Sequence, residues 1–327
     1  MKLASLKSGS RDGTLIVVSR DHKAAVNVPE CAPTLQAALD DWSTLAPKLA
    51  AIAEALDRAE LEAFPLDFSA LGAPLPRAYQ WLDGSAYLTH VERVRKARGA
   101  EMPPDLLTDP LMYQGGSDAF LGPRDPICIA DEIWGVDFEA EVAVVTDDVP
   151  ASVSPGEAAA HIKLLMIVND VSLRNLIPAE LAKGFGFLHS KPPTAFSPLA
   201  VTPDELGQAW DGAKVHLPLV SHVNDVLFGQ PNAGDDMQFD FATLISHAAK
   251  TRALGPGTII GAGTVSNAER SRGCSCIAEQ RVLEILDTGS AKTAFLRGGE
   301  RVCIEMFDLE GHSVFGAIEQ EVRLCPS

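Results

Sequence analysis

Positive charge is scarce in this 327-residue chain: 27 lysines and arginines stand against 44 aspartates and glutamates, a formal net charge of −17. A field of that sign repels phosphate backbones and anionic lipid, so neither nucleic acid nor a membrane surface is expected as a partner. Long apolar runs are also missing. No window approaches the roughly 20 residues of a membrane span. The opening MKLASLKSGSRDG lacks a signal-peptide core, so a cytoplasmic protein is expected. Cysteine is sparse and scattered, at 31, 128, 274, 276, 303 and 325. Two pairs at zinc-binding spacing are absent, so reduced thiols are expected, with Cys274 and Cys276 as small strand residues on one face. Hydrophobic residues at 46% and charged residues at 22% suffice for an ordinary core.

The first stretch reads as a small module. Residues 14–19 and 24–28 are short β-rich runs around a charged turn with Asp21 and His22, and helical patterns start near Thr34 and again at Pro47. Residues 64–76, rich in Pro, Gly and Ala, read as a linker. The expected division is therefore a small N-terminal α/β module, 1–76, and a second domain, 77–327. In the latter, β-type runs dominate at 138–145, 164–168, 215–220, 258–260, 281–286, 302–307 and 313–318. Helical patterns are fewer, at 155–161 and 241–251. The fold class is mostly β (α+β), a sandwich or rolled sheet.

Three segments carry side chains suited to chemistry. In Asp137-Phe138-Glu139-Ala140-Glu141, strand alternation puts the two glutamates on one face, where they repel each other unless something positive lies between. Hard cations such as Mg²⁺ and Ca²⁺ want such oxygens, although a solvated strand face accounts for the pair equally well. The apolar strand 164–169 ends at Asp170, a costly place for a carboxylate without a partner. Arg174 could supply that partner, or Asp170 could be a third oxygen ligand. Asp83 precedes His90 by seven residues, and Lys191 sits in a stiff, Pro-rich loop; by itself each fits an ordinary structural role.

Together these residues resemble the fumarylacetoacetate hydrolase family. The shared features are D-F-E-x-E, N-D-x-S-x-R, a lysine loop ending in Ser-Pro, and the late G-A-G-T-V-S, in the family's order from about residue 75 onward. The resemblance implies a rolled-sheet catalytic domain and Asp83, Glu139, Glu141 and Asp170 as ligands of Mg²⁺, Ca²⁺ or Mn²⁺. It also implies His90 as general base, Lys191 beside the metal, and Tyr113, Arg98 and Thr264 as substrate contacts. Glu279, with Glu269 second, is the carboxylate expected to orient His90. Asn175 stands where the family has aspartate, and the family's following glutamine is replaced near Ile177-Pro178. The implied activity is metal-dependent hydrolysis of a β-diketo acid. Fumarylacetoacetate, from aromatic amino acid breakdown, comes first; acylpyruvates are rivals, as are isomerase, hydratase or decarboxylase reactions and non-catalytic binding. A homodimer is expected from the family.

Overall fold

The computed structural model describes residues 1–97 and 104–325. Among these, the first nine strands are β1 Lys2–Leu6, β2 Thr14–Val18, β3 Ala24–Asn27, β4 Phe64–Pro65, β5 Trp81–Gly84, β6 Met112–Gly115, β7 Ile127–Ile129, β8 Val136–Asp137 and β9 Ala140–Thr146. The rest are β10 Ile162–Asn169, β11 Ser172–Leu173, β12 Ala195–Phe196, β13 Ala200–Val201, β14 Leu219–Val223, β15 Val226–Gly229, β16 Ile259–Gly261, β17 Arg301–Met306 and β18 Ile318–Leu324. The α-helices are α1 Leu35–Asp40, α2 Trp42–Asp57, α3 Leu88–Ala97, α4 Pro155–Ala158, α5 Ile177–Leu181, α6 Phe241–Ala248 and α7 Ile277–Thr288.

A mixed sheet of eleven strands runs β4-β3-β2-β1-β13-β10-β9-β16-β5-β6, with β12 beside β10. A five-stranded sheet, β15-β14-β17-β18-β7, meets it through β17 and β14. Neither closes into a barrel among the described residues. The result is the expected sheet-dominated α+β architecture. Alternation sorts the central side chains into two cores. Leu165 and Ile167 of β10 join Val142 and Val144 of β9, Leu244 of α6 and Ile304 of β17 on one side. Leu164, Met166 and Val168 join Ala143, Val145, Trp81 and the helix residues Leu39 and Leu49 on the other. Because both faces are covered, 164–168 is apolar throughout rather than alternating.

Strand β1 pairs with β13, Lys2 opposite Val201 and Leu3 opposite Ala200, so the N-terminal strands continue the large sheet. The Pro/Gly-rich stretch is packed rather than loose: Leu71, Ala73 and Leu75 are buried, and β4 caps the sheet edge.

Several local expectations are corrected. Residues 281–286 lie in helix α7, not in a strand. Its N-cap Cys276 accepts from the Glu279 amide, and Gly289, at φ +83°, ends it. Residues 313–318 stay irregular until β18 begins at Ile318. Cys274 and Cys276 lie on the approach to α7, outside any strand. Pro47 falls inside α2, which already starts at Trp42, at the loss of one early amide bond. Cys128 and Cys325 form a disulfide joining β7 to the end of β18, against the expectation of reduced thiols throughout. No helix among the described residues is long and apolar enough to cross a membrane.

Candidate active site

Strands β10, β9 and β5 bring three carboxylates to one face of the large sheet. Asp83 shares the side of Trp81, Glu141 that of Ala143, and Asp170 follows β10 on the side of Val168. Strand β16 runs between β9 and β5, with Gly261 opposite both Ala143 and Asp83. A Cβ on Gly261 would come within 2.4 Å of Asp83 Oδ1, so only glycine leaves the space that the carboxylates occupy. Gly263, at φ +79°, turns its N–H onto Asp83 Oδ1 at 2.9 Å.

Asp83, Glu141 and Asp170 are buried and offer oxygens within 4.8 Å of one another, forming the one such group among the described residues. Their surroundings differ. Asp170 accepts from Tyr113 Oη at 2.6 Å, from Thr194 Oγ1 at 2.8 Å and from the Lys191 ammonium. Glu141 is fully buried and neither of its oxygens meets a donor among the described residues. Burial, reinforced by the neighbouring carboxylates, pushes Glu141 and Asp83 well above the usual carboxylate range. Acceptors left unmet in this way are costly. Three hard oxygen donors around them fit a hard divalent cation, which would stand in for the missing donor and for the proton.

Glu139 is set apart from that trio. Its Oε1 accepts from Arg174 at 2.7 Å and its Oε2 from Lys191 at 2.6 Å. Burial works to raise its pKa, but these two cations outweigh it and hold Glu139 far below the usual range. Arg174 therefore pairs with Glu139 and, at 2.8 Å, with Asp137; Asp170 is paired by Lys191, contrary to the Arg174–Asp170 pairing the sequence suggests. Nor is the glutamate pair solvated, since Glu139 is 5% exposed and Glu141 is not exposed at all.

Helices α3 and α7 pack together beside this cluster. His90, on α3, places Nδ1 2.5 Å from Glu279 Oε2, on the first turn of α7. A carboxylate at Nδ1 fixes the proton there and leaves Nε2 as a free base. The other Glu279 oxygen is taken by Arg93, one turn after His90, and by Ser266 Oγ at 2.8 Å. Burial opposes the charge on Glu279, yet the His90 hydrogen bond and the Arg93 charge leave its pKa lowered. Glu269, the second choice, is exposed and bonded to Ser271 and Arg272.

A cavity of about 160 Å³ brings His90, Tyr113, Lys191 and Thr264 together with Asp83, Glu139 and Glu141. Phe187 stacks edge-on to Tyr113 at 5.2 Å, and Lys191 Nζ lies 5.2 Å from the centre of the Tyr113 ring. Arg98 lies outside the described residues. The sequence reading missed Arg93, Asp137 and Thr194. Arg93 was legible in part, because i and i+3 share a helix face; Thr194 follows Lys191 by three, but nothing local aims it at Asp170.

A family model described as fumarylacetoacetate (FAA) hydrolase C-terminal matches residues 80–323, and one described as fumarylacetoacetase N-terminal domain 2 matches residues 1–77. A 2,4-didehydro-3-deoxy-L-rhamnonate hydrolase of Sphingomonas sp. (strain SKA58) is 30% identical over 160 residues, 48% of this chain and 53% of that protein. The mitochondrial oxaloacetate tautomerase fahd2 of Xenopus laevis is 29% identical over 160 residues, 48% and 47% of the two chains. The chain thus spans about half the length of these curated relatives. Maleylpyruvate hydrolase from Sphingobium sp. SYK-6, in complex with manganese(II) ion and pyruvate, shares the fold, with a TM-score of 0.66 and 19% identity over 99% of each chain. With the first model covering most of its length, this chain belongs to the fumarylacetoacetate hydrolase family.

Proposed function

We propose that the protein hydrolyses a carbon–carbon bond in a β-diketo acid. Fumarylacetoacetate is the first substrate to try, and fumarylpyruvate or another acylpyruvate the nearest rival. The observation that carries this reading is the His90–Glu279 pair beside a cavity floored by carboxylates, two of whose oxygens lack donors. Asp83, Glu141 and Asp170 would hold Mg²⁺, Mn²⁺ or Ca²⁺, a choice that the manganese-bound neighbour supports. When bound, such a cation supplies electrophilic polarisation of the two oxygens of a 1,3-dicarbonyl.

The chain's own groups do the rest. Glu279 keeps the His90 Nδ1 proton in place, so Nε2 can take a proton from an attacking water. Arg93 and Ser266 hold Glu279 so that its free oxygen faces His90. Lys191 has three donors and spends two on Glu139 and Asp170, which leaves one for an oxyanion in the cavity. Tyr113 and Phe187 wall the site, and Thr264 lines the same cavity, where its hydroxyl would serve a substrate carboxylate.

The tautomerase relative favours a second reading, enolisation of a keto acid on the same residues. That reaction moves a proton and needs no attacking water. The test is ultraviolet loss of fumarylacetoacetate, fumarylpyruvate and oxaloacetate enol, with Mg²⁺ and then with EDTA. Metal-dependent release of fumarate with acetoacetate or pyruvate supports hydrolysis. Loss of enol alone, with no carbon–carbon cleavage, would replace it with the tautomerase reading.

A further inference from the structure

A further buried carboxylate near the cavity belongs neither to the trio, nor to the histidine pair, nor to the pair matched by Arg174 and Lys191. Glu180, in α5, is 7% exposed. It accepts four hydrogen bonds from the far end of the loop that follows it: the amides of Leu188 at 3.1 Å, His189 at 2.6 Å and Ser190 at 3.1 Å, and the Ser190 hydroxyl at 2.5 Å. Burial opposes its charge, but these donors prevail and hold its pKa down at about 2, so the arrangement persists across the pH range of a folded enzyme. The loop in between has backbone turns at 182–184 and an aromatic contact at Phe187, but its large apolar side chains are mostly outside any core. Leu181, Phe185 and Leu188 are 45%, 99% and 74% exposed.

The residues fixed by Glu180 adjoin the site directly. The Ser190 carbonyl accepts from the Leu173 amide at 2.8 Å, so Ser190 is held from both sides. Lys191 comes next and enters the cluster through Glu139 and Asp170. Phe187, just before the three bonded amides, stacks on Tyr113. Without the carboxylate, three amides and a hydroxyl would lose their shared acceptor, and the Leu173 amide on the Ser190 carbonyl would be the remaining backbone tie where Lys191 begins.

We propose that Glu180 is a positioning residue: by latching 188–190 it sets Lys191 in the carboxylate cluster and holds Phe187 against Tyr113 as the cavity wall. The proposal rests on reading this cavity as the active site, but the latch can be tested without turnover. Glutamine offers one carbonyl oxygen and turns an NH₂ group toward backbone donors, so Glu180→Gln undoes the latch at nearly constant size.

The experiment is limited acylation of the full chain with acetic anhydride, mapped by peptide mass spectrometry. Lys48, exposed on α2, serves as the reference, and Lys2, 5% exposed, reports global loosening. In Glu180→Gln, acylation of Lys191 relative to Lys48 should rise roughly tenfold, the factor one lost charge-assisted hydrogen bond corresponds to. Lys2 should stay protected. Ser190→Ala, which removes one of the four donors, should fall between. Unchanged protection of Lys191, or equal release of Lys2 and Lys191, would overturn the latch. Turnover of whichever diketo acid proves active should fall in kcat more than KM changes. Release of Lys191 with undiminished turnover would uphold the latch and sink the catalytic role of the lysine instead.

Discussion

Two sets of carboxylates share the buried end of the large sheet and are treated in opposite ways. Asp137 and Glu139 are matched by Arg174 and Lys191, and the first amides of α7, from Ile277 at 2.7 Å and Ala278 at 2.8 Å, complete Asp137. Asp83 and Glu141 face each other with no ion-pair partner of their own among the described residues, and both Glu141 oxygens are unmet there. A matched buried pair is tolerated because each charge satisfies the other; an unmatched pair is destabilising until something positive arrives. Alternate positions of one segment, Glu139 just before β9 and Glu141 within it, can thus serve as scaffold and as receptor. What separates them is the placement of two cationic side chains, Arg174 just after β11 and Lys191 in the loop after α5.

The comparison can be broken most sharply at the group that faces the unmatched side. His90→Ala should lower kcat about 10²- to 10⁴-fold, the usual worth of a positioned base, with divalent-cation affinity retained. Turnover close to wild type would remove His90 from the chemistry. Breaking the matched side should show in folding instead. Arg174→Met removes the one cation on Asp137 and one of the two on Glu139 and should cost about 3–5 kcal/mol in urea unfolding; an unmoved midpoint would mean the remaining donors or water suffice.

Glu141→Gln should do the reverse. Its amide can donate to Asp83, so metal-free stability at pH 8 should rise by about 1–3 kcal/mol, the penalty of an unmet buried group. Added Mg²⁺ should then raise Tm for wild type only. A variant still stabilised by Mg²⁺ would place the cation elsewhere.

The smallest effect lies far from the site, at His22, 2.6 Å from Lys2 Nζ. Burial and the Lys2 charge depress its pKa to about 4, so the unfolded chain binds the extra proton between pH 6.5 and 4 and stability rises with pH across that window. The full shift corresponds to about 3 kcal/mol, of which partial exposure leaves about half. Asparagine tolerates the φ of +61° at this position, so His22→Asn should flatten the slope of Tm against pH. An equally steep slope in the variant would assign it to other groups.

Much of this was legible in the sequence, and the gaps have physical reasons. Alternation correctly puts Phe138, Ala140, Val142 and Val144 in one core and turns Glu139 and Glu141 the other way. Alternation makes those glutamates equivalent, however. Their difference arises from Arg174 and Lys191, which lie 35 and 52 residues further on. The run Arg281-Val282-Leu283-Glu284-Ile285-Leu286 fits a strand about as well as a helix. The deciding signals lie outside it, in the Cys276 cap, Glu279 three residues later and Gly289 beyond the end. Cysteine is an unusual cap, so the start signal is weak. Glu180 gave no signal, because three of its four donors are backbone amides, which any sequence supplies.

The pairing of β1 with β13 makes the opening module a neighbour in a continuous hydrogen-bonded surface, not a bead on a string. Removing residues 1–77 would do more than shorten the protein. It would bare the flank of β13 and one side of β10, apolar on both faces, with unpaired amides and carbonyls open to any chain of similar edge. A truncated catalytic domain should therefore be sticky before it is inactive. Exchanging this module for that of a relative would mean rebuilding a strand register as well as a surface.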